Sequence, residues 1–302
     1  MYWKIKDIKM ISVIIINYKQ KNYTEDCVKS VYDKLKSRPV EVIIVNNSPE
    51  ESLEHLKTGY PGIKIIQNVN RGYSQANNAG AESASGEYLF FLNADTVIKE
   101  DFFKRFIEEF KQKNFGAAGL KLKNPDGSFQ LSFWKENNFI NEIKNKSEED
   151  RFRKKDLVYI SDKEKEYNRV KEVDWVTGAA MVMRKDVFEK VNGFDDDFFL
   201  FYEDADICKR LNDIGLKNYF YPDCDIIHYK GENVNSEFQS GTYYYSKESQ
   251  LLYYEKHNNL FNNLALRSYL FVKFFIKYIF SFKKINLKIF LLALGIKAMI
   301  IK

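Results

Sequence analysis

The sequence predicts an α/β fold: a mostly parallel central sheet with flanking helices, followed by a helical tail that is both basic and apolar. Three observations predict it. Short runs rich in β-branched residues alternate with amphipathic segments along the first part of the chain. These runs are apolar without strict alternation, as expected for strands covered on both faces. Asn or Asp follows the runs, where the carboxyl end of a strand would meet a turn.

Four runs are predicted as strands, each followed by a polar cluster. The strands are Ile11–Tyr18, Val42–Val45, Ile63–Ile66 and Tyr88–Leu92. The clusters are Asn17, Asn46 with Asn47, Asn68 with Asn70, and Asn93 with Asp95. Helical crossovers make such strands parallel, and ligands bind at the carboxyl ends of parallel strands. We therefore expect the clusters to converge on one edge, although each is also an ordinary strand end.

Length and composition limit the class of protein. With 302 residues the chain is long enough for one large α/β domain and an appendage. The formal net charge of +5 is too small to indicate nucleic-acid binding, so no nucleic acid is expected as a partner. Lys4, Lys6 and Lys9 interrupt the N-terminal stretch, which lacks the apolar segment of a signal peptide. The protein is expected to stay inside the cell, with its three cysteines as reduced thiols.

The second half of the chain is less regular. Asn124–Gly127 is a turn signal between two apolar runs and predicts a hairpin. From Lys135 to Glu172 charged and Asn residues dominate, which predicts a solvated insertion over one face. A mainly apolar run begins again at Val173, and a helix is predicted from Glu203 to Gly215.

Two common nucleotide sites are excluded because their glycine patterns are missing. Asn17–Gln20 follows the first strand without the G-x-G-x-x-G of a dinucleotide site, and no P-loop pattern occurs. The fourth strand instead ends in Asn93 and Asp95, which lie two positions apart on the same side of the strand. Such a pair can hold Mg²⁺ or Mn²⁺, which take one or two protein oxygens and complete their shell with phosphate and water.

The segment Gly193–Leu211 places aromatic residues directly before a group of acids. Glu203, Asp204 and Asp206 would lie at the start of a helix, where acids commonly cap the helix and favour its dipole. Capping accounts for one or two acids but not for the preceding aromatics. A carboxylate beside an aromatic pocket is suited to accept the proton of a sugar hydroxyl as that oxygen attacks. The segment therefore predicts a general base.

In this order the segments resemble family 2 glycosyltransferases, in particular the rhamnosyltransferase-like branch that acts on cell-surface polysaccharides. The resemblance runs from Ile11 to about His257 and covers most of the chain. The matching pieces are Ser12–Tyr18, Val45–Ser48, Asn70–Gly72, Asn77–Gly80, Leu92–Asp95, Gly178–Met181, Gly193–Asp195 and Glu203–Asp206. Each piece is weak alone, and the ordered set is specific.

The resemblance implies a GT-A fold and a role for each matching residue. Asp95 corresponds to the metal ligand of a D-x-D-like motif, and His228 to a downstream metal or diphosphate contact. Asp204 corresponds to the catalytic base, with Glu203 and Asp206 as its catalytic neighbours. The donor-binding residues would be Asn17, Tyr18, Asn46, Arg71, Gly72, Asn78 and Asn93. The acceptor-side residues would be Trp175 and Tyr202.

Two positions depart from the family pattern. Asn46 stands where the family usually has an Asp that contacts the pyrimidine ring. An amide can still accept from the ring N–H and donate to a ring carbonyl. Asn93 replaces the first Asp of a strict D-x-D, which leaves Asp95 as the principal charged ligand there.

The resemblance implies an inverting, metal-dependent glycosyltransferase with Mg²⁺ or Mn²⁺ as cofactor. It would move a sugar from dTDP-rhamnose or a UDP-sugar to a hydroxyl of a glycan or lipid-linked glycan. In-line displacement needs a base and a neutralised leaving group but no covalent enzyme intermediate. Two alternatives stay open: a nucleotidyltransferase that acts on a sugar phosphate, and an inactive binding or scaffold protein with the same fold.

The expected organisation is one GT-A domain, 1–263, and a tail, 264–302. The domain would have a nucleotide-binding half at 1–122 and an acceptor and catalytic half at 123–263. The charged insertion near 135–172 falls in this second half.

The tail contains no acidic residue and crowds apolar residues between lysines. On a helix, the lysines that share one narrow stripe are Lys273, Lys277, Lys284 and Lys288. Such a helix, or two helices broken near Asn286, would lie on the inner face of the cell membrane, attracted by anionic lipid. The alternative is a tail that packs on the domain or joins the chain into a homo-oligomer.

Overall fold

The computed structural model of the chain describes residues 10–229 and 236–296, apart from the side chains of 236–240. Residues 1–9, on which the prediction about a signal peptide depends, lie outside these ranges. The end of the predicted tail, 297–302, lies outside them as well.

The described residues form strands and helices that alternate along most of the chain. The strands are β1 (Ile11–Asn17), β2 (Val40–Asn46), β3 (Lys64–Gln67), β4 (Tyr88–Asn93), β5 (Thr96–Ile98), β6 (Phe115–Lys123), β7 (Phe133–Trp134), β8 (Lys171–Val173), β9 (Trp175–Val176), β10 (Ala180–Arg184) and β11 (Lys217–His228). The helices are α1 (Lys21–Lys34), α2 (Leu56–Gly59), α3 (Tyr73–Glu82), α4 (Phe103–Phe110), α5 (Phe139–Arg153), α6 (Leu157–Glu166), α7 (Lys185–Lys190), α8 (Glu203–Asp213), α9 (Ser236–His257), α10 (Leu260–Ser281) and α11 (Lys284–Ala293).

The main sheet is mixed and has helices on both faces. Within the described residues its strands run in the order β3-β2-β1-β4-β10-β6-β11-β5, and β8 adds to β11. β3, β2, β1 and β4 are parallel neighbours, as the sequence predicts. β10 lies antiparallel to both β4 and β6. The predicted α/β class is confirmed, with a parallel first half and mixed pairing beyond it.

The parallel strands bring the predicted polar clusters to one edge of the sheet. Asn17 is in register with Asn46, and Asn46 with Gln67. Because β10 is antiparallel to β4, its first residue, Ala180, pairs with Leu92 near the end of β4. The loop that enters β10 therefore lies at the same edge as the polar clusters.

Two apolar clusters cover the two faces of the sheet. Val13 and Ile15 of β1 belong to one cluster and Ile14 to the other, because side chains alternate between the faces of a strand. All three are fully buried, which is worth roughly 1.5–3 kcal/mol for each side chain. Burial on both faces explains why the run shows no polar alternation. The three cysteines are buried free thiols.

The charged segment 135–172 is helical, whereas the sequence predicts only a solvated insertion. It contains α5 and α6, which begin where the side chains of Asn138 and Asp156 accept hydrogen bonds from the backbone of Asn141 and Tyr159. No residue of α5 is fully buried. The apolar stripe that identifies a helix from sequence is therefore weak in this segment.

The tail forms α10 and α11, which pack with α9. α10 ends at Phe282, where a φ of +52° stops the helix. The break precedes Asn286, whose side chain donates to Ser281 Oγ at 2.8 Å and closes the end of α10. The residues of α10 buried in this helical layer are Leu266, Leu270 and Phe274. None of the helices in the described ranges combines the length and the apolar character needed to cross a membrane.

Candidate active site

Asn17 and Asn46 lie at the ends of neighbouring strands, and their amides are committed to protein partners. Asn17 donates to Asn46 Oδ1 at 2.9 Å and to Glu51 Oε2 at 3.0 Å, and accepts from the Thr24 hydroxyl at 2.8 Å. Asn46 donates to Gln67 Oε1 and to the Glu51 carbonyl, both at 3.0 Å. Both residues are fully buried. Contact between Asn46 and a pyrimidine ring would therefore require these hydrogen bonds to be released.

Tyr18, Arg71 and Gly72 are three more residues predicted on the donor side. Tyr18 is half-buried and Arg71 is exposed. Gly72 has a φ of +111°, and a Cβ atom there would lie only 2.5 Å from the carbonyl oxygen of Phe199. The next residue, Tyr73, donates its backbone N–H to the same oxygen at 2.7 Å. Glycine is therefore required where this loop meets the segment that precedes α8.

The side-chain amide of Asn78 is occupied by hydrogen bonds within the protein. Its Oδ1 accepts the N–H of Phe194 at 2.9 Å, and its Nδ2 donates to the Phe194 carbonyl and to Asp196 Oδ1, both at 2.8 Å. These hydrogen bonds join α3 to the turn at Gly193. The predicted role of Asn78 in donor binding stays a prediction.

Asp95 and His228 lie side by side just beyond the end of β4. His228 Nε2 is 3.3 Å from Asp95 Oδ1, and the two side chains are 12% and 8% exposed, respectively. β11 brings His228 to this point because it pairs with β5, where His228 is in register with Thr96. The two residues predicted as metal ligands are therefore brought together from positions far apart in the chain.

Gln130 orients the imidazole of His228. Its Oε1 is 3.0 Å from His228 Nδ1, and its amide donates to the His228 carbonyl at 2.7 Å. With a proton on Nδ1 directed to Gln130, the Nε2 lone pair faces Asp95. Gln130 follows the hairpin predicted at Asn124–Gly127, which is confirmed by the hydrogen bond from Asn124 N to Ser128 O at 2.7 Å.

The pair of Asp95 and His228 fits a hard divalent cation. Carboxylate oxygen is a suitable ligand for Mn²⁺ and Mg²⁺, and imidazole nitrogen suits a transition metal such as Mn²⁺ better than Mg²⁺. Two such ligands at right angles, each about 2.1 Å from an ion, lie about 3 Å apart. Across residues 10–229 and 236–296, no three His, Cys, Asp or Glu side chains gather into a cage. An ion here would therefore take its other ligands from a diphosphate and water.

Asp204 is the second residue of α8, and N–H groups hold both of its carboxylate oxygens. Gly178 donates to Oδ2 at 3.0 Å, and Ala205 donates to Oδ1 at 2.8 Å. Burial raises the pKa of Asp204 to about 6, and these two N–H groups oppose the rise. The carboxylate is thus ionised at neutral pH and still basic enough to accept a proton.

Glu203 and Asp206 differ from Asp204 in their surroundings. Burial, followed by the charge of Asp204, raises the pKa of Glu203 well above its usual range and favours its neutral form. Asp206 is fully buried, and its oxygens contact Arg210 Nη2 and His257 Nε2, each at 2.7 Å. At about 100° per residue, Asp206 points to the side of α8 opposite Asp204. Asp206 is therefore placed in an ion-pair network and not with the predicted base.

Tyr73, which the sequence does not single out, connects the two parts of the site. Its hydroxyl lies 3.0 Å from Asn93 Oδ1 and 3.1 Å from the carbonyl oxygen of Gly178. Burial, followed by the charge of Glu203, raises the pKa of Tyr73, which keeps the hydroxyl protonated as a donor. A tyrosine at the start of a helix carries no sequence signal of such a role, and neither does Gln130.

The two residues predicted on the acceptor side lie in different surroundings. Trp175 stacks on Trp134 with ring centroids 4.5 Å apart, and its Nε1 donates to the carbonyl of Lys135 at 2.9 Å. Tyr202 donates its hydroxyl to Glu142 Oε1 at 3.0 Å, and its ring packs against the α9–α11 layer. Tyr202 is therefore held by the helical layer.

Fold and site together define a class of enzyme. A mixed α/β sheet gathers amides and an acid–imidazole pair at one strand edge, with the carboxylate of Asp204 held by the loop that enters β10. Residues 12–191 match the model described as glycosyl transferase family 2, which is more than half of the chain. Residues 161–233 match the model described as the N-terminal domain of galactosyltransferase. The chain belongs to glycosyl transferase family 2 and is a glycosyltransferase.

Comparison with individual proteins supports the rhamnosyltransferase-like branch. The chain is 24% identical over 264 residues to rhamnosyltransferase WbbL of Escherichia coli K12, covering 80% of this chain and 91% of that one. It is 22% identical over 277 residues to the N-acetylglucosaminyl-diphospho-decaprenol L-rhamnosyltransferase of Mycobacterium tuberculosis, covering 78% and 84%. These relatives favour glycosyl transfer over the nucleotidyltransferase and scaffold alternatives.

A solved structure supports the fold. The mannosyltransferase PcManGT from Pyrobaculum calidifontis, in complex with GDP-Man and Mn²⁺, superposes with a TM-score of 0.56 at 14% identity. The alignment covers 83% of this chain and 64% of that one. The likeness shows that the two chains share the GT-A fold.

Proposed function

We propose that this glycosyltransferase is inverting and dependent on a divalent metal. It moves a sugar from a nucleotide-sugar donor, dTDP-rhamnose or a UDP-sugar, to a hydroxyl of a glycan or lipid-linked glycan. Cell-surface polysaccharide synthesis is the process in which such a reaction takes part. The names of the two relatives support the donor sugar and, for the mycobacterial enzyme, a lipid-linked acceptor.

One observation carries the proposal: Tyr73 connects the metal side of the site to the base side. Its hydroxyl contacts Asn93, two residues before Asp95, and Gly178, whose N–H holds the Asp204 carboxylate. A diphosphate beside Asp95 and an acceptor hydroxyl beside Asp204 would thus lie on either side of one tyrosine. A displacement at the anomeric carbon needs both groups held close to the reacting atoms.

Asp95 and His228 are the residues that would hold Mg²⁺ or Mn²⁺. The ion supplies positive charge that stabilises the diphosphate as a leaving group. The Mn²⁺ in the solved mannosyltransferase supports this assignment. Gln130 contributes by fixing the imidazole with its Nε2 atom toward Asp95. Tyr18, Arg71, Gly72 and Asn93 are proposed donor-side residues together with Asn17, Asn46 and Asn78, and the exposed guanidinium of Arg71 suits a phosphate.

Asp204 is the proposed general base. The acceptor oxygen attacks the anomeric carbon while the bond from that carbon to the diphosphate oxygen breaks. The hydroxyl proton passes to the Asp204 carboxylate, which Gly178 and Ala205 hold in place. The sugar is transferred in one displacement with inverted configuration, without a covalent enzyme intermediate. Trp175, which precedes Gly178 by three residues, is the proposed acceptor-side aromatic.

We also propose that the enzyme lies on the cytoplasmic face of the cell membrane. An outer face of α10 carries exposed apolar side chains on the side of the helix opposite its buried residues. The residues of this α10 outer face are Phe261, Leu264, Val272, Phe275, Ile276 and Ile279. Lys283 and Lys284 are exposed at the turn that follows α10. Apolar side chains flanked by lysines suit the headgroup region of an anionic bilayer, where a lipid-linked acceptor would be found.

A transfer assay tests the function. Purified enzyme is incubated with each of dTDP-rhamnose and several UDP-sugars, with Mg²⁺, with Mn²⁺ or with EDTA, and release of the nucleoside diphosphate is measured. We expect release from one donor, dependent on metal and stimulated by a lipid-linked glycan acceptor. The control is Asp204→Asn, which preserves size but removes the proton acceptor and leaves one oxygen to accept a backbone N–H. Its turnover should fall by about 10²–10⁴-fold, and equal turnover in the two proteins would refute the mechanism.

A further inference from the structure

The turn that leads into α8 has an unusual backbone. φ is +70° at Phe201 and +66° at Tyr202, so two successive side-chain-bearing residues are left-handed. Bulky residues rarely adopt this conformation, and surrounding contacts must offset its strain. Glu203 and Asp204 follow directly, so this turn sets the point from which Asp204 projects.

α9 holds the first part of the turn. The hydroxyl of Ser249 donates to the carbonyl of Leu200 at 2.9 Å. The ring of Tyr245 packs on Phe199 with centroids 4.4 Å apart. These contacts fix the residues just before the left-handed pair.

α5, from the charged insertion, holds the second part. The Tyr202 hydroxyl donates to Glu142 Oε1 at 3.0 Å, and the amide of Gln250 donates to the other oxygen of that carboxylate. Lys247 donates to Gln250 Oε1 at 2.8 Å. Burial raises the pKa of Glu142, and the charge of Lys247 opposes the rise. Both carboxylate oxygens therefore have a fixed partner, which makes Glu142 a rigid anchor for Tyr202.

The other side of the turn contacts the active site. The carbonyl of Phe199 accepts the N–H of Tyr73 at 2.7 Å. Asp204 Oδ2 accepts the N–H of Gly178 at 3.0 Å. A shift of the turn would therefore move the carboxylate and disturb the loop at Gly72 and Tyr73.

We propose that Tyr202 and Glu142 are positioning residues that hold the strained turn so that Asp204 faces the acceptor. This inference rests on the proposed role of Asp204 as the base. It makes the charged insertion, through α5, a functional part of the active site. Neither residue touches the reacting atoms, so their effect reaches the reaction through the position of Asp204.

The test compares variants that break and restore the hydrogen bond. Tyr202→Phe removes only the hydroxyl, Glu142→Ala removes the acceptor, and Glu142→Gln keeps an acceptor oxygen. We expect kcat to fall by about tenfold or more in the first two variants, because one hydrogen bond to a charged group no longer holds the reactive geometry. Glu142→Gln should regain most of the activity. Affinity for the nucleoside diphosphate should change by less than about twofold, because the proposed donor-side residues are unchanged.

Tyr159→Phe is a matched control. Tyr159 donates its hydroxyl to Glu148 Oε2 at 3.1 Å, which is the same kind of hydrogen bond in the same insertion, away from the turn. Its kcat should be unchanged, and thermal unfolding of all variants checks that they are folded. A folded Tyr202→Phe with normal kcat would overturn the inference, as would an equal loss in Tyr159→Phe. If Asp204→Asn is inactive in the same assay, either of these results refutes only the positioning role of Tyr202 and Glu142. If Asp204→Asn is active, the proposed base itself is wrong.

Discussion

The reactivity of Asp204 depends on a balance between burial and hydrogen bonding. Burial raises its pKa to about 6, and the N–H groups of Gly178 and Ala205 limit the rise. Only the ionised carboxylate can accept a proton, and its population falls as the pH falls through this pKa. We therefore expect kcat/KM to fall by about tenfold per pH unit below about pH 6.

A pH–rate profile at saturating metal measures this dependence. Binding of the nucleoside diphosphate, followed over the same range, separates loss of the base from loss of the donor site. A rate that stays constant down to about pH 5 would contradict the assignment of Asp204.

The acid–imidazole pair leads to a second prediction at the scale of single residues. Asp95→Ala should weaken binding of the nucleoside diphosphate in the presence of Mn²⁺ by on the order of tenfold or more, with a smaller loss in His228→Ala. Asp95 provides the charged ligand, whereas His228 provides a neutral one. Titration calorimetry with Mn²⁺ and with EDTA measures both variants. Equal affinity of the native enzyme in the two conditions would show that the pair does not bind metal.

Residue type predicts some of the site, and the partners of each side chain decide the rest. Asp95 and Asp204 are noticed by residue type at a strand end and a helix start, and the resemblance to the family adds His228; the roles of all three stay predictions. Asn46 and Asn78 have the residue type of ligand contacts, yet their amides are occupied by protein atoms. The partner of Asn78 lies 116 positions away along the chain. No local pattern in the sequence contains such information.

The loop before α3 shows how two elements constrain each other. Gly72 has a φ of +111°, and its missing Cβ leaves room for the backbone of Phe199. Gly72→Ala should destabilise the fold by roughly 1–3 kcal/mol and weaken donor binding, because the loop must move away from its position. Gly62→Ala is the matched control, since Gly62 also has a positive φ of +94° but nothing within 4 Å of a Cβ atom.

Chemical denaturation and donor titration distinguish the two glycine variants. The control should lose stability through backbone strain alone and keep its affinity for the donor. Equal donor affinity in Gly72→Ala and Gly62→Ala would show that close contact with Phe199 has no effect on the donor site.

Elements buried on both faces are predictable from sequence, and elements at the surface are less so. β1, β2 and β4 appear as continuous apolar runs because both of their faces are covered. α5 has no fully buried residue, so its sequence resembles that of a solvated loop. Its carboxylate at Glu142 nevertheless holds the turn before Asp204. The helices of the insertion depend on end caps and tertiary contacts. A search for apolar periodicity in the sequence does not detect these features.

At the scale of the whole molecule, the parallel half of the sheet follows from the sequence, and the mixed half does not. β10 lies between β4 and β6 although it follows both in the chain. This placement closes the active-site edge, because it brings the Gly178 loop against the end of β4. Such a pairing arises from long-range contacts, and a strand of five residues, four of them apolar, cannot specify its neighbours.

Packing of the tail into the helical layer determines how the membrane proposal should be tested. Removing the tail would expose the partners of Leu266, Leu270 and Phe274, which are buried against the rest of the helical layer. Point changes on the α10 outer face avoid this problem. We therefore choose Phe261→Gln, Val272→Gln and Ile279→Gln in combination, three exposed positions on the solvent side of the helix.

The triple variant should lose most of its binding to vesicles that contain anionic lipid, measured by co-sedimentation. Binding of the native chain should exceed its binding to neutral vesicles and fall with added salt, because lysines contribute by charge attraction. The matched control is Leu157→Gln with Val158→Gln, which removes exposed apolar side chains from α6 and should bind as the native chain does. Light scattering then separates the two possible partners of the face. Negligible vesicle binding, together with a dimer that the triple variant abolishes, would assign the α10 outer face to self-association, because apolar side chains of this extent require some partner.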